Sequence, residues 1–174
     1  MKTRIRLVLL LFASSSAAFG QNAPKSAHAD FVNAQGQKIG TATIRPEGEG
    51  VKIEVDVSQV TPGTHAIHVH SVGKCEGPEF KTAGGHLNPD SKQHGKDNPA
   101  GPHAGDMLNF EVGADGNGKA TLLDPHIMLG SGANSLFHNG GTALIIHEKA
   151  DDYKTDPSGN SGARVACGAI NAAD

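Results

Sequence analysis

The chain of 174 residues has no tryptophan, one tyrosine and only two cysteines. Aromatic residues make up 4% of it, so a core has to be built mainly from aliphatic side chains. Two thiols are too few for a cysteine-rich metal-transfer site. An excess of positive charge is also missing: 15 Lys and Arg stand against 18 Asp and Glu, for a net charge of −3. A net acidic chain lacks the electrostatic basis for nonspecific nucleic-acid binding. Long stretches with helical periodicity are absent as well, which excludes a helical bundle. The longest early apolar run, residues 7–12, falls far short of the ~20 residues needed to cross a bilayer.

What is present begins with a targeting pattern. Lys2, Arg4 and Arg6 form a basic start, an apolar stretch follows, and small residues lead to Ala18-Phe19-Gly20. This reads as a cleaved signal peptide over residues 1–20, with the cut before Gln21. No cysteine lies near the cut to mark a lipoprotein, and Arg4 and Arg6 are not adjacent as a twin-arginine signal requires. The expected location is therefore periplasmic or secreted. Because Lys2, Arg4 and Arg6 are the only charges of the leader, its removal takes the net charge from −3 to −6. The remaining residues, 21–174, suffice for one domain with its own core. In an exported chain, Cys75 and Cys167 are most simply one disulfide.

Short alternating segments recur through the rest: "HADFVN", "QKIGTATIR", "VKIEVDVSQV", "HAIHVH", "GKATLL", "TALIIH" and "ARVACGAI". Turn signals such as "PEGEG", "TPG", "DGNG" and "HNGG" separate several of them. Period-2 runs punctuated by Gly, Pro and Asn predict an all-β, antiparallel sandwich or flattened barrel. In "VKIEVDV", Val51, Ile53, Val55 and Val57 face inward, while Lys52, Glu54 and Asp56 face water. Two stretches break the rhythm, residues 71–106 and 148–163. Both are long, polar and rich in Gly and Pro or Ser, as functional loops are.

Histidine carries the chemistry. His68 and His70 are two apart, so a strand projects both from one face. His147 ends another apolar strand and can close the same site. A site of imidazoles only, with its geometry imposed by a sheet, suits copper, which binds nitrogen donors tightly. His86, His94, His103 and Asp106 lie on the first long loop at spacings of eight, nine and three. Three imidazoles and one carboxylate wrapped by a loop suit tetrahedral zinc. His65 points away from His68 on a regular strand and reads as a structural hydrogen-bonder. His28, His126 and His138 read as solvated or structural.

"HAIHVH", "TAGGHLNP", "QHG", "PHAGD", "IIHEKADD" and "GNSGARVACGAI", in this order, resemble the bacterial-type secreted copper,zinc superoxide dismutases. The resemblance runs roughly from Ala27 to Ala172. It implies a Greek-key β-sandwich or flattened barrel with a metal-binding loop and an electrostatic-type loop, and an enzyme converting superoxide to oxygen and hydrogen peroxide. It implies one copper and one zinc per subunit. His68, His70 and His147 would hold copper, His86 would bridge copper and zinc, and His94, His103 and Asp106 would complete the zinc site. Asp151 would be the carboxylate linking His68 to His94, Arg164 would bind the anion beside copper, and Cys75 and Cys167 would be the family's disulfide. The second loop is shorter than in eukaryotic relatives and lacks their charged run, which leaves Lys74, Lys81 and Lys154 as candidates for steering. The resemblance leaves a homodimer open and does not carry over the eukaryotic interface. The reading from another class is a copper and zinc store or a chaperone with a dismutase-like fold.

Overall fold

The computed structural model describes residues 23–173; the predicted leader lies outside them. Nine strands form the body: β1 (Ser26–Asn33), β2 (Lys38–Glu47), β3 (Gly50–Val57), β4 (Gly63–His65), β5 (Ile67–His70), β6 (Phe110–Val112), β7 (Gly118–Asp124), β8 (Ala143–His147) and β9 (Arg164–Ala173). All pair antiparallel in one sheet, in the order β4-β6-β7-β3-β2-β1-β9-β8-β5. The two outermost strands, β4 and β5, are consecutive in the chain and separated only by Ala66. The Ala66 N–H donates to Lys149 and its carbonyl accepts from His147, both at 2.9 Å. The sheet thus nearly closes on itself into a Greek-key barrel, the architecture expected from the alternating pattern.

Alternation in β3 does what the sequence predicts. Val51, Ile53, Val55 and Val57 are buried, and Ile53 sits opposite Ile44 on one side and Leu122 on the other. Strand β8 behaves differently, with all five residues buried. Its Leu144 and Ile146 join the main core. Ala143 and Ile145 face outward into a smaller cluster with Phe80, Ala83 and Cys167. A loop covers the outside of the barrel there, which is why "ALIIH" reads as a continuous apolar run.

Two strand assignments differ from the sequence expectation. "HAIHVH" is not one strand: it breaks at Ala66, so His65 belongs to β4 and His68 to β5. Residues 110–112 form a strand too short for its alternation to stand out. The stretch 71–106 is a loop, as predicted, with a single 3-10 turn at Lys81–Ala83. Cys75 and Cys167 are joined across a separation of 92 residues, with Cα atoms 5.5 Å apart. The disulfide pins this loop to β9 beside the small outer cluster.

Candidate metal centre

The strand break at Ala66 leaves His68 and His70 on β5 projecting from one face, and His147 ends the adjacent β8. His86 enters from the loop through a short antiparallel bridge to His70. The result is a cluster of four rings: His68 lies 4.1 Å from His86 and 4.9 Å from His147, centroid to centroid, and His70 lies 4.9 Å from His86. One nitrogen of each ring is buried without a hydrogen-bond partner: His68 Nδ1, His70 Nε2, His86 Nε2 and His147 Nε2. Buried polar atoms are ordinarily satisfied. Four such orphans, on rings whose ligand-type nitrogens lie within 4.8 Å of one another, are what a metal ion would satisfy.

The other nitrogens are tied down. His68 Nε2 lies 2.8 Å from Asp151 Oδ2, His70 Nδ1 lies 2.9 Å from the Gly84 carbonyl, and His147 Nδ1 lies 3.4 Å from the Gly162 carbonyl. Each of these contacts leaves the inward nitrogen as the free donor. Burial lowers the pKa of all four rings, to about 4 for His86 and His147, with mutual repulsion adding to the effect. They are therefore neutral at pH 7, the form that binds a cation.

His86 turns its Nδ1 the other way, 2.8 Å from Asp106 Oδ1. The same oxygen lies 3.0 Å from His94 Nδ1 and 3.2 Å from His103 Nδ1. These three nitrogens and the carboxylate make a second cluster of metal-ligand type. The Asp106 Oδ2 accepts the N–H groups of Gly95 at 2.8 Å and His103 at 2.9 Å, so backbone fixes the carboxylate. Although burial alone would raise it, the surrounding N–H donors hold the Asp106 pKa well below the usual carboxylate range. Burial would likewise lower His94, but its contacts with Asp106 and Asp151 outweigh that and raise it to about 9. A bound cation would displace that proton. Asp151 joins the two clusters, with Oδ2 on His68 and Oδ1 on His94 Nε2 at 3.0 Å.

The first cluster opens on a cavity of about 370 Å³ lined by His70, His86, His103, His147, Ser158 and Arg164, among others. Arg164 donates to the carbonyls of Phe80 at 2.7 Å and Gly84 at 2.6 Å. The disulfide holds the segment bearing both carbonyls, so it also orients the guanidinium. None of Lys74, Lys81 and Lys154 lines this cavity, and Lys81 pairs instead with Glu79 at 2.8 Å.

The family model described as "Copper/zinc superoxide dismutase (SODC)" matches residues 38–170. The chain belongs to this superoxide dismutase family. Similar curated proteins include "Superoxide dismutase [Cu-Zn] 1" of Aquifex aeolicus (strain VF5), 50% identical over 145 residues, covering 82% of this chain and 86% of that protein. "Superoxide dismutase-like protein YojM" of Bacillus subtilis (strain 168) is 38% identical over 187 residues, covering 96% and 95%. A crystal structure of a SOD-like protein from Bacillus subtilis superposes with a TM-score of 0.79 at 43% identity, over 82% of this chain and 96% of that one.

The structure brings together His68, His70, His86, His94, His103, His147, Asp106 and Asp151, with Arg164 on the adjoining cavity, and the other histidines belong to neither cluster. His65 bonds outside the centre: Nδ1 lies 2.7 Å from the His147 carbonyl and Nε2 2.7 Å from that of Thr61. His28 and His126 are exposed and His138 is half-buried, and none belongs to either cluster. Both cysteines are in the disulfide, so the thiols that a metal chaperone would use for transfer are gone. Asn109 and Tyr153 also touch the site, though nothing in their sequence context marks them. Asn109 pairs with the Asp151 backbone through two hydrogen bonds of 2.9 Å, and Tyr153 donates its backbone N–H to Asp151 Oδ1 at 2.6 Å.

Proposed function

We propose that the chain is an exported superoxide dismutase, with copper at His68, His70, His86 and His147 and zinc at His86, His94, His103 and Asp106. The observation that carries this reading is one ring, His86, with a nitrogen in each of two ligand clusters, beside a cavity bearing a guanidinium. Two superoxide anions and two protons would yield one molecule each of O₂ and H₂O₂. When bound, copper supplies the one-electron redox couple, and zinc, which has none, supplies a fixed Lewis acid.

The remaining steps belong to the chain. Arg164 binds the anion at the cavity, always charged and already oriented by two carbonyls. His86 carries a proton at Nε2 while Nδ1 stays on the Asp106 side. With Nδ1 engaged there, Nε2 is the edge that faces the cavity side and can pass its proton to a peroxide anion. Asp151 keeps His68 and His94 in register as the proton moves. Export by the leader at residues 1–20 places this activity in the periplasm or outside the cell.

Metal analysis and a superoxide-consumption assay on one purified sample test the reading. One copper and one zinc per chain with rapid turnover is the expected result. Loaded protein that leaves superoxide to decay at its spontaneous rate would sink it.

A further inference from the structure

Tyr153 is the single tyrosine of the chain and sits where the two long loops meet. Its backbone N–H donates to Asp151 Oδ1, the oxygen that also faces His94 Nε2. Its carbonyl accepts the Asp97 N–H at 3.0 Å. Gly95 packs so closely on that carbonyl that a Cβ there would collide with it. The Tyr153 hydroxyl accepts the Asn109 N–H at 2.9 Å, and the Lys96 ammonium stands 4.4 Å from the centre of its ring. The residue holds φ at +63°, which a bulky side chain adopts only where its surroundings enforce it.

These contacts form a closed frame. Asn109, three positions after Asp106, grips the Asp151 backbone from one side. Tyr153 grips Asn109 by its hydroxyl and the Asp151 carboxylate by its N–H. Its carbonyl and ring hold residues 95–97, immediately after His94.

We propose that Tyr153 is a positioning residue that sets how firmly the His86, His94, His103 and Asp106 site retains its metal, by locking Asp151 against His94. This inference rests on the zinc assignment made above. Loss of the hydroxyl frees the Asn109 N–H and loosens one side of the frame. Loss of the ring also releases Lys96 and the segment that follows His94. A small shift of Asp151 tilts the His94 ring, and outer partners of this kind are worth ~10–100-fold in metal affinity.

The test uses the mature protein loaded with zinc, as wild type, Tyr153→Phe and Tyr153→Leu. Zinc release to a colorimetric chelator, the visible spectrum after cobalt(II) replaces zinc, and the melting temperature are measured on each. Release should be ~3–10-fold faster for Tyr153→Phe and ~10–100-fold faster for Tyr153→Leu. The cobalt bands should shift in the leucine variant and return toward wild type in the phenylalanine one. Release rates and cobalt spectra identical to wild type in both variants, whatever their melting temperatures, would overturn the positioning role alone. If Tyr153→Leu does not fold, Tyr153→Phe decides the matter. Wild-type protein that takes up no zinc would overturn both this role and the zinc assignment.

Discussion

His86 Nδ1 lies 2.8 Å from Asp106 Oδ1, and this one contact decides which edge of the imidazole serves which cluster. With Nδ1 committed to the carboxylate side, Nε2 has only the β5 and β8 histidines to face, and it is buried there without a partner. The direction of the ring comes from the loop and the site it completes comes from the barrel. The two clusters are therefore coupled through a ring that neither loop nor strand positions alone.

His147 lies on one side of that ring only. It contributes Nε2 to the first cluster and has no atom in the second. His147→Ala should therefore abolish superoxide consumption and weaken copper by more than the ~10–100-fold typical of losing an outer partner. Zinc content should stay at the wild-type level. Parallel metal analysis and activity measurement check this; retained activity with three strand and loop imidazoles would contradict the ligand assignment.

Much of this was legible in the sequence because the responsible patterns are local. Alternation in "VKIEVDV" gives a half-buried strand, and i, i+2 spacing puts His68 and His70 on one face. Other features depend on contacts between distant segments. The break at Ala66 is set by its pairing with His147 and Lys149, which no period within "HAIHVH" reveals. Strand β6 has three residues, too few for a pattern, and exists because it bridges β4 to β7. Asn109 and Tyr153 act on Asp151 across more than 40 and only two residues respectively, through hydrogen bonds that composition does not signal. The steering lysines are a question of surface placement: of the four cationic side chains the sequence offered, Arg164 lines the cavity and Lys74, Lys81 and Lys154 do not.

Arg164 is thus the one cationic side chain, apart from histidine, among the residues lining the cavity. Arg164→Ala should lower the rate by roughly 10-fold and flatten its dependence on ionic strength, with both metals retained. Arg164→Lys should recover part of the rate, since it keeps the charge but cannot span both the Phe80 and Gly84 carbonyls. Rate measurements across a salt series read both effects. A salt dependence unchanged in the alanine variant would remove Arg164 from anion capture.

Stability of the metal-free protein should fall on both sides of neutrality. His86 and His147 are lowered by burial to about 4, so between pH 6.5 and 4 the unfolded chain binds more protons than the fold, and stability drops as the pH falls. His94 has the opposite sign. Raised to about 9, it contributes stability that is full below pH 6.5 and lost as the pH rises toward 9. Asp124 partly offsets the acid loss. It is buried, Oδ1 accepts the His126 N–H at 2.8 Å and Oδ2 has no partner. Burial raises it from 3.8 to about 7, so its contribution is full below pH 3.8, is lost as the pH rises from there to about 7, and does not change further above that. Asp124→Asn removes the charged form altogether. Urea unfolding after chelation should show the variant matching wild type near pH 4 and exceeding it by roughly 2–4 kcal/mol near pH 8, with the gap opening between pH 4 and 7. Equal stabilities at both pH values would mean that the carboxyl group finds a partner when it ionises.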